Sequence, residues 1–249
     1  MKKKPFKRIL CVLIAAVMLG SVFASTAAAA TKCACGHSPV VMISGFGATV
    51  LAEKQEDGSL KRVFPPDTKE ILKLLGVNAP DLITGIIKLI AQKGTDGIEK
   101  PMREIITSIV EPLRMNDDGT SFYDIVPILS SAKDTSLEAF TKNGQLDLVP
   151  YTGSEFLDME VIGDEIGDDH VFNFLYDWRL SHADVAAQLH DYLAEVCALT
   201  GHDKVSVYSI SQGCLLLGVY MYEYPDDNYI DRAVFDTPLL AGSNLVSDL

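Results

Sequence analysis

The stretch from residue 205 to 213 reads V-S-V-Y-S-I-S-Q-G, and it constrains this chain more than any other part. A short apolar run of β type opens it, and a mostly apolar stretch, residues 214–224, follows without a break. The pattern predicts a strand, a sharp turn and a helix, with Ser211 at the apex. Strand and helix almost touch in such a turn, so the positions two before and two after the serine must be small. Here they are Ser209 and Gly213. A serine held there has a strained backbone, and its hydroxyl stands clear at the carboxyl edge of a sheet. The helix N-terminus behind it favours developing negative charge. Ser211 is therefore the candidate nucleophile for acyl transfer. An ordinary strand-to-helix turn rich in serine would use the same residues, and the first glycine of G-x-S-x-G is absent.

The rest of the chain alternates strand-like and helix-like segments, which predicts an α/β fold with a mostly parallel sheet. Apolar runs at residues 39–43, 171–176, 205–208 and 232–235 are the expected strands. Their continuity predicts burial on both faces. Residues 181–199 form an expected helix, with Ser181 and Asp184 as a capping box and Gly201 as its stop. Residues 51–170 read as a largely helical cap insertion with helices at 68–75, 81–92 and 99–110. The middle one is apolar on most sides, so it packs between layers or covers an apolar cleft.

Residues 1–30 have the form of a secretory signal peptide: Lys2, Lys3, Lys4, Lys7 and Arg8, then an apolar run, then small residues. Residues 31–249 are the expected single mature domain, secreted to the outside of the cell. Losing those five basic residues and no acidic one takes the net charge from −13 to −18. That acidity excludes nucleic acid as a partner, since nothing would neutralise phosphates. Cys197 and Cys214 fall in expected core helices, where a free cysteine acts as a small hydrophobe. Cys33-Ala-Cys35 lies in the N-terminal tail, and no further Cys/His pair stands at zinc-finger spacing, which leaves a redox-active or metal-binding tail as the alternative to an inert one. The acidic group Asp164, Glu165, Asp168 and Asp169 does not fit an EF-hand loop and reads as a solvated loop. The expectation is thus no metal and no organic cofactor.

Three features fall in a fixed order. The first strand ends in Ser44-Gly45-Phe46-Gly47, whose backbone N–H at Phe46 or Gly47 is a candidate oxyanion donor beside that of Gln212. Tyr176-Asp177-Trp178-Arg179 closes the second strand and carries the only tryptophan. It either supports the active site or is a buried aromatic with a satisfied ion pair. Ser211 follows Asp177 by 34 residues.

Taken together, P-V-V-M-I-S-G-F-G, F-L-Y-D-W-R and V-S-V-Y-S-I-S-Q-G-C resemble the lecithin:cholesterol acyltransferase family of α/β-hydrolases. The likeness runs from about residue 39 to 243 and is loose in the insertion. Ser44 stands where that family has proline, and Ser209-Ile210 where it has Gly-His. The resemblance implies an α/β-hydrolase fold, an acyl-enzyme at Ser211, and lipid esters as substrates. It also implies transfer to water or another hydroxyl and transient contact with lipid surfaces.

The fold of that family carries its acid and its histidine after the nucleophile. Here His37, His170, His182, His190 and His202 all precede Ser211. Asp236, at the end of the fourth strand, matches a structural turn rather than a triad acid. The expectation is a chain that stops before its last strands and is inactive as it stands. The sequence therefore leaves three readings: a secreted lipase, esterase or O-acyltransferase; a serine hydrolase of another ester, thioester or peptide class; and a non-catalytic or inactive α/β-hydrolase fragment. It does not determine the oligomeric state.

Overall fold

The computed structural model describes residues 32–90, 96–149 and 159–240. The expected signal segment and residues 241–249 lie outside the described residues. In chain order the strands are β1 (Val40–Ile43), β2 (Leu51–Lys54), β3 (Leu60–Phe64), β4 (Ile125–Pro127), β5 (Val171–Phe174), β6 (Val205–Ile210) and β7 (Ile230–Asp236). The helices are α1 (Thr68–Ile90), α2 (Asp96–Val110), α3 (Leu137–Asn143), α4 (Met159–Ile166), α5 (His182–Thr200) and α6 (Gln212–Glu223).

The four expected strands form one parallel sheet in the order β5-β1-β6-β7. Successive side chains of a strand point to opposite faces, and both faces of β5, β1 and β6 are covered. Val41 and Ile43 of β1, with Phe172 and Phe174 of β5, meet Val185, Leu189 and Leu193 of α5 and Leu216 and Leu217 of α6. Met42 and Val171 turn the other way, onto Leu137 and Phe140 of α3 and Met159 of α4. The molecule is thus of the α/β class, a sheet between two helical layers.

Short polar links close the outer edge of β5. Asn173 N–H donates to the Thr135 carbonyl at 2.9 Å. The buried Tyr192 hydroxyl, on α5, lies 2.7 Å from Thr135 Oγ1 and donates to the Asn173 carbonyl at 2.8 Å. Burial pushes the Tyr192 pKa far above its ordinary value, so the phenol stays a donor. Glu195 accepts from Ser131 Oγ at 2.6 Å and from Ala132 N–H at 3.0 Å, tying the same segment to α5.

Several elements differ from the sequence expectation. Only part of the 51–170 insertion is a helical cap. β2, β3 and β4 make a second, antiparallel sheet in the order β3-β2-β4, while α3 and α4 belong to the main core. The helices expected at 68–75 and 81–92 are one, α1, running through Pro80. Its packing against α2 outweighs the backbone hydrogen bond that proline removes. Ser181 precedes α5 as expected, but its side chain makes no cap hydrogen bond; Gly201 does end the helix, at φ 68°. The strand β7 is not buried on both faces: it lies at the edge of the sheet, and most of it is exposed. Its apolar run fits an edge strand as well as a central one, which is why continuity of apolar residues overstated its burial.

Leu189 is fully buried between α5 and the sheet. Leu189→Ala is expected to cost about 2–5 kcal/mol of stability, read as a lower midpoint at unchanged slope in urea unfolding.

Candidate active site at the carboxyl edge of the sheet

Because β1, β5, β6 and β7 are parallel and in register, their carboxyl ends come to one edge. Ile43 pairs with Phe174 on one side and Ser209 on the other, and Ile210 pairs with Asp236. Ser211 stands at that edge between β6 and α6, with φ 54° and ψ −118°. A non-glycine residue in this region costs of order 1–3 kcal/mol and persists only where its surroundings over-determine it. Here they do. Ser211 N–H donates to the Asp236 carbonyl at 2.9 Å, and Cys214 N–H donates back to the Ser211 carbonyl at 3.1 Å.

The small residues expected on either side have distinct reasons. A Cβ added to Gly213 would lie 2.4 Å from the Ile43 carbonyl oxygen and 2.8 Å from that of Ser44. The first turn of α6 therefore rests directly on the end of β1. Ser209 takes the place of the usual glycine and is fully buried. Its hydroxyl donates to the Val234 carbonyl at 2.8 Å, so the extra polar group is satisfied.

The other two sequence features converge on the same edge. The Ser44–Gly47 turn follows β1, with Gly47 at φ 73°. Tyr176 donates its phenolic hydrogen to the Ser44 carbonyl at 2.8 Å. The Phe46 ring is largely exposed and lies 4.3 Å, centroid to centroid, from Trp178. Gln212 Nε2 donates to the Trp178 carbonyl at 2.9 Å, joining the start of α6 to this loop. Asp177 and Arg179 form a buried bidentate pair, Nε to Oδ1 at 2.9 Å and an Nη to Oδ2 at 2.6 Å. The guanidinium also donates to Ser121 Oγ at 3.0 Å, so this loop fastens the base of the insertion to the main sheet. Within Tyr-Asp-Trp-Arg, Asp177 and Arg179 hold one another, while Tyr176 holds the Ser44 turn and Trp178 packs against Phe46 and Phe64.

Most of the unpaired buried polar atoms are here. Among the described residues, Ser44 Oγ, Trp178 Nε1, one Arg179 Nη, His182 Nε2 and Gln212 Oε1 are buried without a hydrogen-bond partner, as is Gln145 Oε1 in the loop after α3. The first five stand on loops or helix starts at the carboxyl edge.

The histidines are dispersed. His170 precedes β5 and His202 precedes β6, so both lie at the opposite, amino edge. His190 pairs through Nδ1 with Asp227 Oδ2 at 2.7 Å. His182 opens α5, and burial lowers its pKa. Among the described residues no side chain is hydrogen-bonded to the Ser211 hydroxyl. Asp236 accepts from the Tyr208 hydroxyl at 2.6 Å. That hydrogen bond, then burial and the carboxylate charge, push the Tyr208 pKa up to about 12. At the amino edge a second chemically capable group gathers: Cys33, Cys35, His170 and His202. Local spacing gave no sign of it, because the two histidines follow Cys35 by 135 and 167 residues.

A cleft under the cap, lined by Arg62, Lys73, Asn78 and Arg103 among others, includes none of the elbow residues. No protein-family model matches this chain, and no curated protein matches it.

Three measurements follow from this geometry. Gly213→Ala is expected to cost about 1–3 kcal/mol by forcing α6 away from β1, seen in denaturant unfolding. Asp177→Ala strands a buried guanidinium and is expected to cost about 3–5 kcal/mol, seen as a lower thermal midpoint. The raised Tyr208 pKa favours the folded state below about pH 10, and that contribution is lost as the pH rises toward 12. Asp236→Asn is expected to bring one tyrosine's ionisation down toward its ordinary value, read as ultraviolet absorbance of tyrosinate.

Proposed function

We propose that this protein is a secreted serine acyl-transfer enzyme of the α/β-hydrolase type, a lipase, esterase or O-acyltransferase acting on lipid esters through an acyl-enzyme at Ser211. The observation that carries the reading is the positive-φ Ser211 between β6 and α6, with Gly213 pressed onto the end of β1. That turn lifts a serine hydroxyl above the sheet edge with the N–H groups of a helix start behind it. In this reading Ser211 Oγ attacks the ester carbonyl. The N–H of Gln212, with that of Phe46 or Gly47, receives the oxyanion, and the alcohol leaves. Water or another hydroxyl then takes the acyl group. Tyr176, Asp177, Trp178 and Arg179 keep the two oxyanion turns in position.

Lipid substrates are supported by the insertion. Leu72, Ile83, Ile87 and Ile106 of α1 and α2 are exposed, an apolar face suited to acyl chains or a lipid surface. Among the described residues no helix is long and apolar enough to cross a membrane.

A second reading, an inactive or binding form of the fold, is favoured by one observation: the Ser211 hydroxyl has no base among the described residues. A serine without its base keeps only the weak catalysis of oxyanion hole and binding, and losing the base costs about 10⁴–10⁶ in rate. The 249-residue chain is therefore expected to hydrolyse p-nitrophenyl esters slowly and to label slowly with a fluorophosphonate at Ser211. Ser211→Ala is expected to abolish labelling, and added imidazole to raise turnover in the native chain above that in Ser211→Ala. Absence of labelling would remove Ser211 as nucleophile. Rapid turnover without imidazole would mean that a histidine away from the amino edge, His182 or His190, is the base.

A further inference from the structure

We infer that Cys33, Cys35, His170 and His202 bind a divalent zinc ion that staples the N-terminal tail to the amino edge of the sheet, opposite Ser211. The four ligand atoms, two Sγ and two Nε2, all lie within 4.8 Å of one another. His170 Nε2 is 3.8 Å from Cys33 Sγ and 3.7 Å from Cys35 Sγ, and His202 Nε2 is 3.4 Å from Cys35 Sγ. Tetrahedral zinc, with Zn–S near 2.3 Å and Zn–N near 2.0–2.1 Å, holds a sulfur and a nitrogen about 3.5 Å apart. The gathering already has the dimensions of a filled site.

Hydrogen bonding on the outer side orients both rings for a metal. His202 Nδ1 lies 3.1 Å from the Thr200 carbonyl, which can only accept, so Nδ1 carries the proton. His170 Nδ1 lies 2.8 Å from Asp169 Oδ1, and a carboxylate likewise accepts. With Nδ1 held on the outer side, each ring directs its Nε2 at the sulfurs, the nitrogen a metal would take. Cys35 Sγ lies 3.3 Å from the His37 carbonyl and also faces both imidazole Nε2 atoms, so one sulfur sits where two rings and the tail backbone converge. The outer partners, a carboxylate on one histidine and a backbone carbonyl on the other, are those that orient metal-bound imidazoles.

Binding releases the two thiol protons, and two thiolates then neutralise the 2+ ion. Two thiolates and two imidazoles in a tetrahedron suit zinc, and four protein ligands leave no open position, so the site is structural. The surrounding backbone fits that role. Cys33 N–H donates to the Gly201 carbonyl at 3.1 Å, laying the tail against the loop that carries His202.

The test uses the full 249-residue chain, reduced with a phosphine and titrated with Co²⁺. The expected result is a thiolate-to-cobalt charge-transfer band with the visible bands of tetrahedral Co²⁺, both displaced by about one Zn²⁺ per chain. Asp169→Asn keeps all four ligands and is expected to weaken Co²⁺ binding by about 10–100-fold. A Cys33→Ser/Cys35→Ser variant is expected to lose the charge-transfer band, and a chelator is expected to lower the thermal midpoint of the native chain but not of this variant. A thiolate-free, octahedral Co²⁺ spectrum from the reduced native chain would overturn the site. So would identical spectra from the native chain and the double variant. These readouts involve no ester substrate, so they stand apart from the role of Ser211.

Discussion

The contact on which this structure turns is the seat of α6 on the end of β1. Gly213 lies so close to the Ile43 and Ser44 carbonyls that any side chain there would collide with backbone. That approach sets how sharply the chain must bend after β6, and the bend forces Ser211 to positive φ. The strain is offset by neighbours on both sides, through the Asp236 carbonyl and the first turn of α6. Much of the carboxyl edge follows. With α6 fixed, Gln212 reaches the Trp178 carbonyl, and Tyr176 beneath it holds the Ser44 turn.

The two edges of the sheet have different chemistry for a simple reason. Parallel strands put every strand-to-helix loop at one edge and every helix-to-strand loop at the other. The carboxyl edge holds the turn at Ser211, the glycine turn and most of the unpaired polar atoms. The amino edge holds the tail cysteines with the two histidines that precede β5 and β6. His170 is thereby separated from Ser211 by the length of the strands, which removes it as a base for the elbow. Of the acidic group read as a solvated loop, Asp164 and Glu165 lie in α4, and Asp169 orients the His170 ring.

The ion pair of Asp177 and Arg179 connects the core to the insertion. Both side chains are almost fully buried, and each offsets the desolvation of the other. Its reach to Ser121, with Phe64 packed edge-on against Trp178, fixes the base of the insertion at the carboxyl edge. The outer helices α1 and α2 instead leave many apolar side chains exposed. Rigidity is thus concentrated where the elbow needs support, and apolar surface is kept where lipid contact is proposed.

By itself the sequence determined the parallel α/β sheet, the bend at Ser211, and the helix bounded by Ser181 and Gly201. Each is written in near neighbours: apolar runs, two small residues around a serine, a glycine after a helix. The candidate residues Phe46, Gly47, Tyr176 to Arg179, Ser211 and Gln212 could be placed at one edge the same way, because the topology brings strand ends together. Other features depended on what packs against what. The continuity of α1 through Pro80, the antiparallel sheet inside the insertion and the exposure of β7 are set by tertiary neighbours, to which local propensity is blind. The meeting of Cys33 and Cys35 with His170 and His202 is the clearest instance. Its partners are separated by more than half the chain, and only the closure of the parallel sheet makes them neighbours.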